Sequence, residues 1–200
     1  MYKQILRITV IIGLILFFAS SAYSCVGRVL YIGILDTLEQ KLIAEHLVLL
    51  INERTGTNIQ IRYFENSDQM YEALKCEDEE KRADIIIENT TNALTILDRT
   101  PGSEFNEDYL LVKKLYEEKF DLIWLYPFAF STGKGQQENP LCAPVLRRDV
   151  MNNFPLLPRI LKKLAGAIDE KAFAHLMGEA EAEKKPKNIA RDFLRANKLI

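Results

Sequence analysis

The sequence predicts an α/β fold: a mostly parallel five-stranded sheet with helices on both faces. Three observations predict it. Short apolar runs of strand length alternate along the chain with segments of helical periodicity, the pattern of parallel strands joined by helical crossovers. Two of the runs, Val29–Leu35 (VLYIGIL) and Ala83–Glu88 (ADIIIE), are almost continuously apolar, as strands covered on both faces are. The 200 residues are 48% apolar and 27% charged, which suits a globular domain and excludes collagen-like, disordered and many-domain chains.

The elements follow in order. After the strand at 29–35, Thr37 and Gln40 have capping-box spacing, and Leu38, Leu42, Ile43, Leu47, Leu50 and Ile51 recur at helical intervals until Gly56 stops the helix. Ile59, Ile61 and Tyr63 alternate as a strand, and Ser67 or Asp68 caps a second helix through about Cys76. CEDEEKR is a solvated helix end. Strand 83–88 passes through Asn89, Thr90 and Thr91 into a helix carrying Ala93, Leu94 and Leu97. A Thr-Pro-Gly-Ser loop precedes a charged amphipathic helix over 106–120. Leu122–Phe130 reads as one strand containing Pro127, and Cys142–Leu146 as a short strand. Three helices close the chain, at roughly 153–167, 169–179 and 186–197.

The ends carry an address. Lys3 and Arg7 precede an uncharged apolar run of 12 residues, Ile8–Ala19, and small residues surround Ser24. This is the secretory signal pattern, so residues 1–24 read as a signal peptide and 25–200 as the mature domain. Cleavage after Ser24 leaves Cys25 first, and Cys25 is then the candidate for lipid attachment. Ala22 and Tyr23 fit a lipobox poorly. Three outcomes stay open: a soluble periplasmic protein, a lipid-anchored one, and an uncleaved anchor, since Ile8–Gly27 is 20 residues without charge. Export means an oxidising compartment for Cys25, Cys76 and Cys142.

Motifs for catalysis are sparse. The net charge of −2 supplies no basic excess for nucleic acid. Gly133–Gly135 (GKG) lacks the spacing of a phosphate loop, and neither a GxSxG nor an HExxH motif occurs. The only histidines are His46, on the apolar face of its helix and read as a core residue, and His175, without an acidic partner at obvious spacing. No metal ligand set and no cofactor are expected, and the chain is read as a non-enzyme. The best acid–base pair an enzyme could use would be Asp36 with Glu39 or Glu88. Trp124, Tyr126, Phe128 and Phe130 alternate, which on a straight strand puts all four rings on one face. Aromatic faces attract quaternary ammonium groups, though one strand cannot build a cage alone.

The segment from CAPVLRRDV to RANKLI resembles the closing segment of the substrate-binding proteins of ABC importers for glycine betaine, choline and related solutes. Pro144, Val145, Arg147, Phe154, Leu164, Ala165, Asp169, Ala190, Arg191, Phe193 and Leu194 carry the resemblance. GILDTLEQ (33–40), ADIIIENTTNAL (83–94) and WLYPFAF (124–130) resemble the family's earlier motifs in order and spacing. The resemblance implies a periplasmic-binding-protein-like fold and a function in binding a small quaternary-ammonium or zwitterionic solute for an ABC transporter membrane subunit. The family has two lobes, but here only residues 131–141 join the strand at 124–130 to that at Cys142. The chain therefore reads as lobe one alone, with the second lobe replaced by this linker.

The pocket turns depart from the family: Asp36, Thr37 and Leu38 stand near an expected aromatic, and Asn89 at a tyrosine position. The ligand-facing residues implied are Asp36, Thr37, Asn89, Thr90, Thr91, Tyr126 and Phe128. They sit at helix N-termini and strand carboxyl ends, where backbone N–H groups favour a carboxylate. The same topology sets Cys76 and Cys142 at opposite sheet edges, against a bond between them. A Cys25–Cys76 bond stays open if Cys25 carries no lipid. The rival reading is a ligand-independent periplasmic interaction module derived from one lobe, which self-associates or binds a protein through the face a second lobe would cover.

Overall fold

In the computed structural model, residues 29–102, 104–130 and 141–200 are described, without the side chains of Ala129 and Phe130. The signal segment, Cys25, the GKG turn and all of the linker but Leu141 lie outside the described residues.

Leu30–Leu35 is β1, and it runs into α1, Leu38–Thr55. The expected cap is there: Thr37 Oγ1 accepts from the Gln40 N–H at 3.2 Å. The Gln40 side chain reaches back to the Leu35 N–H at 2.7 Å, two residues beyond the usual capping-box donor. Gly56, at φ 69°, ends the helix in the left-handed conformation glycine allows. Leu38, expected on the apolar face of the helix, is 37% exposed in its first turn.

β2 is Ile59–Phe64 and α2 is Ser67–Lys75. The cap of α2 is Asn66, not Ser67 or Asp68; its side chain accepts from the Gln69 N–H at 2.9 Å. β3, Ile85–Asn89, leads directly into α3, Thr90–Ile96, and α4 spans Phe105–Phe120.

Two expectations fail locally. Leu122–Phe130 is not one strand but two: β4, Leu122–Trp124, and β5, Ala129–Phe130, separated by a bulge around Pro127. Trp124 lies opposite Val145 and Ala129 opposite Cys142, so the outer chain carries two more residues than β6, Leu141–Arg147, over this stretch. Pro127 has no N–H to give a ladder, which favours the break there. The helix predicted at 153–167 begins only after Phe154 and Pro155, as α6, Leu157–Ala165, and a short helix not expected from the sequence, α5, Arg148–Asn153, precedes it. α7, Glu170–Glu181, and α8, Pro186–Ala196, follow as expected.

The strands order as β2-β1-β3-β6-β4, five along the main path, with β5 a short sixth segment on β6. β1 is parallel to β2 and β3, while β6 is antiparallel to β3, β4 and β5. β6 is therefore the one reversed strand among those described, inserted between β3 and β4. The fold class is as the sequence predicts: α/β, mostly parallel by strand direction, with helices on both faces.

Side chains alternate between two cores. Ile32, Ile34, Ile85, Ile87 and Leu146 pack with α1 and α5–α8 on one face. Ile86, Ala143, Val145, Leu122 and Trp124 pack with α2, α3 and α4 on the other. Gly33 points to this second face, where an added Cβ would stand 3.0–3.2 Å from Phe64, Ala83 and Ile86. The glycine permits that close approach.

Candidate ligand edge of the sheet

The register Ile32↔Ile85 between parallel β1 and β3, carried four residues on, sets Asp36 level with Asn89. Two helices thus open side by side at the carboxyl ends of neighbouring strands. Asp36 is exposed and ion-paired to Lys41, whose ammonium also lies 5.9 Å from the Tyr63 ring centroid. Thr37 is exposed and occupied as the cap of α1.

The second turn is more deeply built. Asn89 caps α3 by accepting from the Asn92 N–H at 2.8 Å. Thr90 is fully buried, and its Oγ1 has no hydrogen-bond partner among the described residues. Thr91 is half-buried on the next position. Beneath them lies Glu88, 3% exposed. Its Oε1 accepts from the Asn89 N–H at 2.8 Å, and its Oε2 accepts from Asn92 Nδ2 at 2.8 Å and from the Tyr71 hydroxyl at 3.0 Å. The Tyr71 hydroxyl also bonds that of Tyr116 at 2.8 Å. Burial pushes Glu88 up to about 7, against the three hydrogen bonds, which favour its ionised form.

On the other side of Asn89 is Cys142, its partner across the β3–β6 ladder. Cys142 is buried, with Sγ 4.0 Å from Glu39 Oε1. Burial, then the carboxylates of Glu39 and Glu88, push the thiol well above its ordinary range, so it is no thiolate nucleophile near neutral pH. Cys76 and Cys142 are both free thiols. Cys142 stands at the carboxyl edge, whereas the Cys76 carbonyl accepts from Arg147 at the far end of β6, as the topology implies.

The aromatic residues do not form one stripe. Trp124 is buried with the α4 core and Phe128 with the α1 core, on opposite faces, because the bulge intervenes. Phe128, 1% exposed, offers no ring face to solvent. Tyr126, 44% exposed, projects from the bulge on the outer side of β6. Lys162 and Lys113 ammoniums lie 4.7 and 5.8 Å from its ring centroid. The structure therefore brings Asp36, Thr37, Asn89, Thr90 and Thr91 to one edge, sets Tyr126 apart, and turns Phe128 inward. The side chain of Phe130 lies outside the description.

The acids proposed for an enzyme are also separated in kind. Asp36 is solvated and paired to a lysine, while Glu88 is enclosed. His46 is a core residue: its Nδ1 lies 2.8 Å from the Leu42 carbonyl, its ring packs edge-on against Phe193, and burial lowers it to about 4. Among the described residues no group of three or more His, Cys, Asp or Glu is placed to hold a metal ion, and no helix is long and apolar enough to cross a membrane.

A cleft of about 110 Å³ lies at the opposite, amino edge, lined by Leu30, Arg82, Asp84, Asp149 and Phe154 among others. Asp84 Oδ2 accepts from the Tyr31 N–H at 2.9 Å and its Oδ1 pairs with Arg82 at 3.1 Å. Arg147 ties Glu77, Asp149 and the Cys76 carbonyl together nearby. These contacts hold the 76–84 loop to the sheet, although Arg82 Nε and Asp84 Oδ1, within ion-pair distance, make no hydrogen bond among the described residues.

Sequence reasoning missed the Glu88–Tyr71–Tyr116 cluster. A signal existed: an acid ending the apolar run IIIE, on the same face as Ile86, has to find buried donors.

A scan against protein-family models finds no match, and neither does a search of curated proteins. Solved structures do match. Apo YehZ from Escherichia coli aligns with a TM-score of 0.74 at 15% identity, covering 87% of this chain and 100% of that one. A structure described as a glycine betaine/carnitine/choline ABC transporter aligns with a TM-score of 0.71 at 15% identity, covering 86% of this chain and 98% of the other. At that identity the likeness establishes a shared fold, the one the resemblance in sequence implies.

Proposed function

We propose that the chain is an exported, single-lobe solute-binding protein of an ABC-type transport system. It takes a small quaternary-ammonium or zwitterionic solute such as glycine betaine or choline and presents it to a membrane subunit. Residues 1–24 direct export, and residues 131–141 stand where a second lobe would be inserted. The observation that carries the reading is the side-by-side opening of the turns at Asp36–Thr37 and Asn89–Thr91 at the carboxyl ends of adjacent strands. That is where α/β sheets bind ligands. Asp36 supplies negative charge for an ammonium group, and the turn amides suit a carboxylate. The fold shared with a glycine betaine/carnitine/choline ABC transporter supports the same class of solute.

Titration calorimetry against glycine betaine, choline, carnitine and proline tests this reading. The expected result is binding tighter than about 0.1 mM, or ~5.5 kcal/mol, for at least one of them. Asp36→Asn weakens it about three- to fivefold, as loss of an exposed charge worth up to ~1 kcal/mol should. No binding, with a dimer or larger by light scattering, transfers the assignment to a ligand-independent interaction module. Specific features favour that second reading: Tyr126 presents its ring beside lysines, and exposed Leu110 lies one helical turn before Lys113.

A further inference from the structure

We infer that Glu88, Tyr71 and Tyr116 form a buried proton-accommodating relay that sets the hold on the Asn89–Asn92 turn, so that proton binding at Glu88 and the state of the candidate ligand edge are linked. The inference deepens the solute-binding reading and rests on it for its consequence, but the relay is a property of the chain itself.

The geometry is that of an enclosed carboxylate. Three donors converge on it, from the Asn89 backbone, the Asn92 side chain and Tyr71. No lysine or arginine among the described residues lies within ion-pair distance of it. The groups facing it can be named element by element. Tyr71 comes from α2, and Tyr116 from α4 beyond it. Asn89 and Asn92 belong to its own strand and the helix that follows. Cys142 comes from β6, its thiol sensing both Glu88 and Glu39, and Glu39 comes from α1.

With Glu88 ionised, Tyr71 donates to Oε2 and accepts from Tyr116. With a proton on Oε2, that oxygen donates to Tyr71, and Tyr71 turns to donate to Tyr116. Either hydroxyl of the pair can be the donor, so each keeps one bond in both states, but in the protonated state the buried Tyr116 O–H gives up its acceptor. Part of the cost falls on Asn92: a carboxyl O–H is a poorer acceptor than a carboxylate, so the bond from Nδ2 to the same oxygen weakens. Asn92 is the third residue of α3, and its backbone N–H is the one Asn89 caps. Glu88 is thus a positioning residue for the turn that carries Asn89, Thr90 and Thr91.

The test follows the full chain by amide and tyrosine NMR between pH 5 and 9, without solute. The amides of Asn89 to Asn92 and the rings of Tyr71 and Tyr116 should follow a single titration with a midpoint near 7, the value to which burial pushes Glu88. Glu88→Gln, close in volume and still hydrogen-bonding, should abolish that titration. Tyr71→Phe, which removes a donor to the ionised form, should move the midpoint upward by about one pH unit. A turn that stays flat through this range in the native chain, or that titrates unchanged in Glu88→Gln, overturns the inference. Calorimetry separates the two readings: a titrating turn with no solute bound defeats only the transport function, and a bound solute with a flat turn defeats only the relay.

Discussion

His46 and Glu88 are buried on opposite faces of the sheet, and their pH dependences have opposite signs. Glu88 is raised from 4.5 to about 7, so between those values the folded chain holds a proton that the unfolded chain has released. Its contribution is full below 4.5 and is lost as pH rises to 7. His46 is lowered from 6.5 to about 4, so the unfolded chain binds the extra proton, and stability is lost as pH falls through that window. Each effect is on the order of 3 kcal/mol, and between 4.5 and 6.5 the two slopes oppose. Urea unfolding from pH 4.5 to 8 should therefore show little dependence from this pair in the native chain. In Glu88→Gln, stability should climb toward pH 6.5, with His46 acting alone. In His46→Gln it should fall as pH rises to 7. Parallel profiles in all three proteins would contradict both assignments.

At the level of the element, four of the described helices begin on a side chain that accepts from the third helical amide: Thr37, Asn66, Asn89 and Asp169. Asn66→Ala should cost about 1 kcal/mol in unfolding free energy, while Ser67→Ala, one residue on, should change it by less than half as much. Equal losses would mean that the cap is shared. The cap at Thr37 and the glycine stop at Gly56 were legible in the sequence, because each adjoins a clear change of apolar period, while at Asn89 the sequence marked only the passage from strand to helix. The cap of α2 was not, because Asn66, Ser67 and Asp68 are three good caps in a row. The bulge at Pro127 was obscured for a related reason. Aromatic alternation persists across it, and the two extra residues show only when the partner strand β6 is in register. The candidate edge divides the same way. Its turn residues follow from element order alone. The support beneath them does not, because Tyr71 reaches Glu88 from 17 residues away in sequence and Tyr116 reaches Tyr71 from 45.

On the scale of the whole molecule, the last helix closes the larger core. α8 lies along α1 and buries Ile189, Ala190 and Leu194, with Leu199 following in the tail. Phe193 packs on the His46 ring, and Arg54 of α1 donates to the Leu199 carbonyl at 2.5 Å. Without α8, the face of α1 that carries His46 loses its cover. That face belongs to the helix whose first turn makes half of the candidate ligand edge. Burying Ile189, Leu194 and Leu199 is worth about 1.5–3 kcal/mol each, so together roughly 5–9 kcal/mol. That is comparable to the total stability of a domain, about 5–15 kcal/mol. A chain ending at Lys185 should therefore lose its cooperative thermal transition. Supplying residues 186–200 as a separate peptide should restore part of it, in proportion to peptide concentration. A truncated chain that still unfolds cooperatively within a few degrees of the native one would show that α8 only decorates a core that α1, α6 and α7 complete on their own.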